Sequence, residues 1–237
     1  MSKREPIEAI TLDAAGTLIH VAEPVADTYA RIATASGARL AARTLESAFR
    51  EEFRRMPAMA FPERSGAARL EAERAWWRQL VARVVERAGG VCDFETYFDA
   101  LYRHYAHAGA WRVYEDVPAM LDAARARGLR LAVVSNFDSR LVDILHGLGI
   151  AERFDAIVYS TACGSAKPDA GIFAQALADL EASPRSVLHA GDDLEADYRG
   201  ARAAGLAALL VKRRGSPPAG DVTVIRSLRE LAEHLPD

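Results

Sequence analysis

From residue 117 onward the chain alternates short apolar runs, at 129–134, 156–159, 186–190, 207–211 and 222–225, with stretches of helical periodicity at 117–127, 140–148, 170–180 and 194–204. Runs this short and this uniformly apolar suit strands covered on both faces, and strands separated by helices pair in parallel rather than as hairpins. A last helix closes the series. One more run, at 7–12, stands far upstream, stops at Asp13 and turns through Ala14, Ala15, Gly16 and Thr17. The expected fold is α/β, a doubly wound parallel sheet whose first strand is divided from the others by a long insertion.

Between Pro24 and about His107 the periodicity is helical throughout, interrupted at Gly37, from Pro57 to Gly66 and at Gly89 and Gly90. A structureless loop of that length is improbable in a compact fold, so the insertion is expected to be a second, all-helical domain. The expected division is a core of 1–20 and 111–237 with a helical domain at 21–110. Trp76 and Trp77 fall on a stripe with Leu80, Val81, Val84 and Val85, the spacing of a helix packed on its own core. Arg50, Arg54 and Arg78 are expected on solvated helix faces. His104 and His107 lie three apart without a third ligand and are expected to be structural.

Composition excludes several function classes. Thirty Lys and Arg against thirty-three Asp and Glu give a formal charge of −3, without the basic excess of a nucleic-acid binder. Cys92 and Cys163 are too few for a disulfide framework or a zinc cage, which suits a reducing cytoplasm. Neither a signal peptide nor an apolar run long enough to span a membrane is visible, so no membrane partner is expected. Of the thirty basic residues only Lys3, Lys167 and Lys212 are lysines, which makes a lysine in a strategic loop less easily dismissed as surface charge.

In doubly wound sheets ligands bind beyond the carboxyl ends of the strands. Four such ends carry chemistry here: Asp13 after 7–12, Ser135 and Asn136 after 129–134, Lys167 in the loop after 156–159, and Gly191, Asp192 and Asp193 after 186–190. Any of the acids read singly is a turn or helix-capping residue. Together they make a ring of acidic and basic groups around one point.

The segments Leu12-Asp13-Ala14-Ala15-Gly16-Thr17-Leu18, Val134-Ser135-Asn136, Ala166-Lys167-Pro168-Asp169 and Gly191-Asp192-Asp193-Leu194-Glu195-Ala196-Asp197 resemble, in order, the four motifs of the haloacid dehalogenase-like hydrolase superfamily. The helical insertion falls at that family's cap position. Ser135-Asn136-Phe137-Asp138, with the run Trp76-Trp77-Arg78-Gln79-Leu80, also resembles the branch named for a rhythmically expressed gene product. The resemblance implies a nucleophile at Asp13, whose carboxylate attacks phosphorus of a small phosphorylated substrate. It implies Mg²⁺ held by Asp13, the backbone carbonyl of Ala15 and Asp192, with Asp193 or Asp197 supporting those ligands. Lys167 and Ser135 would bind and polarise the phosphoryl group, with Asn136 beside them on the substrate side.

The sequence departs from the family at Ala15, where ordinary phosphatases of the family carry an Asp that protonates the leaving group. Its loss predicts slow turnover, or a taste for good leaving groups, since such help is typically worth roughly 10²- to 10⁴-fold. His20 is the one nearby candidate for a replacement donor. Related phosphonatases also have Ala there but need a cap lysine, and no lysine lies between Lys3 and Lys167. Dehalogenases carry Tyr there and lack the Gly-Asp-Asp motif. A different class of reading, a phosphate-binding protein without activity, must explain why Asp13, Ser135, Lys167 and Asp192 are all retained.

Overall fold

The computed structural model describes residues 6–235. The first apolar run forms β1 (Ala9–Leu12), all four residues of which are buried. A three-residue strand, β2 (Ile19–Val21), leads into four helices: α1 (Val25–Ala35), α2 (Ala42–Arg55), α3 (Gly66–Arg87) and α4 (Phe94–Ala106). The chain returns through β3 (Trp111–Val113), which pairs antiparallel with β2 in the register Ile19 with Val113, His20 with Arg112 and Val21 with Trp111. Then follow α5 (Val117–Ala126), β4 (Arg130–Ser135), α6 (Arg140–Gly147), β5 (Ala156–Tyr159), the single turn α7 (Ser160–Cys163), α8 (Ala170–Asp179) and β6 (Val187–Gly191). A π-helical turn, Leu194–Arg199, runs into α9 (Gly200–Ala203), then β7 (Ala207–Val211), β8 (Val224–Ile225) and a 3₁₀ segment, Leu228–His234.

Six strands form one sheet in the order β5-β4-β1-β6-β7-β8, every neighbouring pair parallel. β1 is central, with Leu12 opposite Val133 of β4 and Ala190 of β6. Chain direction across the sheet reverses at β1, which makes its carboxyl end the switch point where ligands bind. One face of the sheet packs Leu121, Leu141, Ile144 and Leu228 from α5, α6 and the 3₁₀ segment, and the other packs Ile172, Phe173, Ala176 and Ala201 from α8 and α9. Helices α1 to α4 bury a separate cluster that includes Leu45, Leu80, Val84, Tyr97 and Phe98. No helix among the described residues is long and apolar enough to cross a membrane.

Polar bonds join the helical insertion to the sheet side. Glu73 of α3, fully buried, accepts from the Ser139 and Thr161 hydroxyls at 2.5 Å each. The Trp77 indole N–H donates to Asp138 Oδ2 at 2.5 Å, and Arg140 grips the same carboxylate at 2.6 and 2.9 Å while its guanidinium lies over the Tyr102 ring. Ser160 Oγ reaches across to the Met59 carbonyl at 2.6 Å.

Three details differ from the sequence expectation. The β2–β3 ribbon was not foreseen, because three-residue strands leave no periodic trace. The helix expected at 194–204 opens with a π turn, in which Tyr198 N–H bonds to the Asp193 carbonyl. The last helix is the 3₁₀ segment, started by a capping box in which Ser227 and Glu230 bond each other's backbone.

Candidate active site

β1 ends at Asp13, whose N–H bonds back to the Ala190 carbonyl at 3.0 Å, so the residue is still locked to the sheet where its carboxylate leaves it. Asp13 is 7% exposed. Its Oδ1 accepts from Ser135 Oγ at 3.0 Å and from Lys167 Nζ at 2.7 Å. Its Oδ2 has no hydrogen-bond partner among the described residues.

Lys167, 5% exposed, spends its ammonium on Asp13, on the Val134 carbonyl at 2.7 Å and on Asp197 Oδ1 at 2.5 Å. Burial alone would strip its proton, but the two carboxylates hold it protonated, well above the usual lysine value. The Asn136 amide pairs with the backbone of Lys167 in both directions, Nδ2 donating to its carbonyl at 2.9 Å and Oδ1 accepting from its N–H at 2.7 Å. Asn136 thus holds the lysine loop in place.

The π turn swings Asp197 back under Lys167. Its Oδ2 accepts from the Asp193 N–H at 2.9 Å, and its Oδ1 also meets His189 Nε2 at 3.2 Å. His189 is fully buried in β6 and is held from behind by Thr11 Oγ1 at 2.9 Å. Burial lowers the His189 ring from its ordinary value, while Lys167 and His189 hold Asp197 well below the usual carboxylate range despite its burial. Asp193 itself is exposed, and its carboxylate caps the π turn through the N–H groups of Glu195 and Ala196 at 2.8 Å each.

Oxygen atoms of Asp13, Asp192 and Asp197 lie within 4.8 Å of one another. Asp192 opens to solvent, yet the protein mass around it, then the charges of Asp13 and Asp197, push its carboxyl up to about 7. Burial, aided by Asp197 and opposed by Lys167, likewise lifts Asp13. Three carboxylates against one ammonium leave an excess of negative charge at one point. Gly16 makes this approach possible: its φ is +96°, and a Cβ there would sit 2.5 Å from Asp192 Oδ2. Ala15 turns its methyl to solvent, and its carbonyl has no backbone partner among the described residues.

The structure thus brings Asp13, Ser135, Lys167, Asp192 and Asp197 to one point, sets Asn136 behind Lys167 and turns the Asp193 carboxylate to a capping role. His20 lies on β2, its Nδ1 bonded to the Val21 carbonyl at 2.9 Å and its ring 4.6 Å from Tyr114. Arg50 and Arg78 are paired at the surface with Glu46 and Glu95. Sequence reasoning missed His189, for which the signal was one imidazole inside an otherwise apolar strand. It also missed Glu73, which shares the apolar stripe of Trp76 and Leu80.

Residues 7–205 match the haloacid dehalogenase-like hydrolase family. The mouse (Mus musculus) haloacid dehalogenase-like hydrolase domain-containing protein 3 is 39% identical over 221 residues, covering 92% of this chain and 86% of its own. A phosphoserine phosphatase from Thermus thermophilus is 34% identical over 177 residues, 70% of each chain. Among solved structures, that of YfnB from Bacillus subtilis bound to magnesium superposes with a TM-score of 0.73 over 98% of this chain and 99% of its own, at 18% identity. Four motif segments meeting at the switch point of the sheet, and a family match spanning most of the chain, place this protein among the haloacid dehalogenase-like hydrolases.

Proposed function

We propose that the chain is a Mg²⁺-dependent phosphatase acting on a small phosphorylated metabolite through Asp13, with 21–110 serving as a cap on a core of 1–20 and 111–237. The observation that carries this reading is the state of Asp13. One carboxylate oxygen is fastened by Ser135 and Lys167, and the other is left without a protein partner beside a second acid, Asp192. The similarity to a phosphoserine phosphatase supports the same reaction class.

The residues fit a hard divalent cation. Asp13, Asp192 and the free Ala15 carbonyl are oxygen donors, and the surplus negative charge of the acid cluster is what a divalent ion offsets. Mg²⁺, when bound, would neutralise phosphoryl charge and so allow one anion to approach another. Asp197 is occupied by Lys167, His189 and the Asp193 N–H, so it orients the lysine in preference to binding the ion.

In the proposed reaction the free Asp13 oxygen attacks phosphorus, the bond to the leaving oxygen breaks, and an aspartyl-phosphate forms; water then attacks that phosphorus, releasing phosphate and restoring the carboxylate. Lys167 and Ser135 place a fixed charge and a hydroxyl donor beside the transferring group, already oriented before substrate arrives. Ala15 carries no proton to give, so the leaving oxygen must depart as a stable anion or be protonated from elsewhere. Acyl and aryl phosphates are therefore the expected good substrates.

Beryllium fluoride, which adds to a carboxylate oxygen as a stand-in for the phosphoryl group, tests the assignment without turnover. With Mg²⁺ it should raise the melting temperature of the wild type and leave Asp13→Asn unmoved. An equal rise in both would place the anion elsewhere.

A further inference from the structure

A cleft of about 970 Å³ opens beside Asp192 and Gly16 and runs along the β2–β3 ribbon toward the loops that follow β7 and β8. Its size is that of a small-molecule site. Five cationic residues line it. Arg213 is cancelled, since its guanidinium grips the buried Asp116 at 2.8 and 3.0 Å and the Thr17 carbonyl at 2.8 Å. The other four, Arg112, Lys212, Arg214 and Arg229, have no carboxylate partner among the described residues, and the unpaired acids of the lining are Glu115 and Asp192. Arg112 merely folds onto the carbonyls of Gly109 and Trp111.

The loop that carries Lys212 and Arg214 is pinned. The Lys212 N–H bonds the Ile225 carbonyl at 2.8 Å, and Arg226 donates to the carbonyls of Lys212 and Gly215 at 2.9 and 2.6 Å. Tyr114 lies in the same wall: its ring packs at a tilt on His20, 4.6 Å between centroids, and lies 3.7 Å under the Arg213 guanidinium. Burial raises the Tyr114 hydroxyl, Arg213 and Arg214 pull it down, and Asp192 pushes it up, so Asp192 and Arg214 act on the same ring.

We propose that this cleft is the subsite for the part of the substrate that leaves, and that it selects phosphorylated compounds bearing a second anionic group, recognised by Lys212 and Arg214 with Arg112 and Arg229 around them. The proposal rests on the phosphatase reading above. Four cations without a carboxylate partner outnumber the two unpaired acids, Glu115 and Asp192, and so favour an anion, and the cleft shares the Asp192 and Gly16 wall with the phosphoryl site. The substrate's far end is thereby read by the β2–β3 ribbon and the core loops.

The test compares phenyl phosphate with 4-carboxyphenyl phosphate, two aryl esters that differ in one remote charge. The wild type should favour the carboxylated ester by about five- to tenfold in kcat/KM, mostly through KM, and the preference should shrink with added salt, as for partly exposed charge pairs. In Lys212→Ala/Arg214→Ala the ratio should fall to about one, and Arg214→Glu should reverse it; melting temperatures of both variants check that they fold. A wild type that does not discriminate, or a double variant that keeps the preference, overturns the subsite. If the wild type hydrolyses neither ester, the phosphatase reading fails. The subsite is then decided by the Kd ratio of phenylphosphonate to 4-carboxyphenylphosphonate, measured by calorimetry in wild type and double variant: a ratio lost in the variant supports it, and equal ratios sink it.

Discussion

Lys167 is the residue on which the site's geometry turns, because one ammonium fastens Asp13, the end of β4 and Asp197 together. Lys167→Met should leave two buried carboxylates uncompensated. The expected loss is about 3–5 kcal/mol in urea unfolding, with turnover down at least ~10²-fold; an unchanged midpoint would refute this role. Gly16→Ala adds a methyl where φ is +96° and Asp192 Oδ2 is 2.5 Å away. It should cost about 1–3 kcal/mol and weaken Mg²⁺ binding, read by titration calorimetry. Asp13 and Asp192 were legible in the sequence because each stands just past an apolar run, where a doubly wound sheet presents its ligands; Lys167, in the longer loop after 156–159, stood out as one of only three lysines. Asn136 was legible as a member of the site but not as the amide clamped on the Lys167 backbone, since that contact joins residues from two loops that only the fold brings together.

At the scale of elements, the alternation of strand and helix was readable because each strand is apolar on both faces, and the four-helix insertion because its periodicity runs for several turns between glycine breaks. The β2–β3 ribbon was not readable: its pairing depends on two segments some ninety residues apart in sequence, His20 opposite Arg112. Nor did the pattern reveal what joins α3 to the sheet side, although Trp77 and Asp138 both belong to segments that the sequence singles out. Trp77→Phe keeps the ring but removes the N–H that reaches Asp138 Oδ2 at 2.5 Å. It should cost about 1 kcal/mol, the net worth of one hydrogen bond, since Arg140 still donates to that oxygen, and speed proteolysis between α3 and α4. Trp76→Phe, whose indole bonds the Pro57 carbonyl within the insertion, should leave the α3–sheet contact intact. Equal protease sensitivity in the two variants would remove Trp77 as a specific tie.

Across the whole molecule, Asp116 links the start of α5 to the far end of the chain. It accepts from Arg213, from Ser227 Oγ at 2.7 Å and from the Leu228 N–H at 2.8 Å. Partial burial works against the charge, but these donors win and hold the carboxyl below its ordinary value. A carboxyl lowered in the folded state stabilises above its unfolded pKa, and that contribution is lost as pH falls through the folded one. Wild type should therefore exceed Asp116→Asn by about 1–3 kcal/mol at neutral pH, with the gap closing below about pH 4 in urea titrations. A gap independent of pH would assign the effect to packing. The central claim, that the switch-point cluster transfers phosphoryl groups through Asp13, is tested most directly by following hydrolysis of p-nitrophenyl phosphate and acetyl phosphate with Mg²⁺ and with EDTA, in wild type and Asp13→Asn side by side. The account predicts metal-dependent turnover in the wild type and a loss of at least ~10³-fold in the variant. Equal turnover in the two proteins, or turnover indifferent to EDTA, would contradict it.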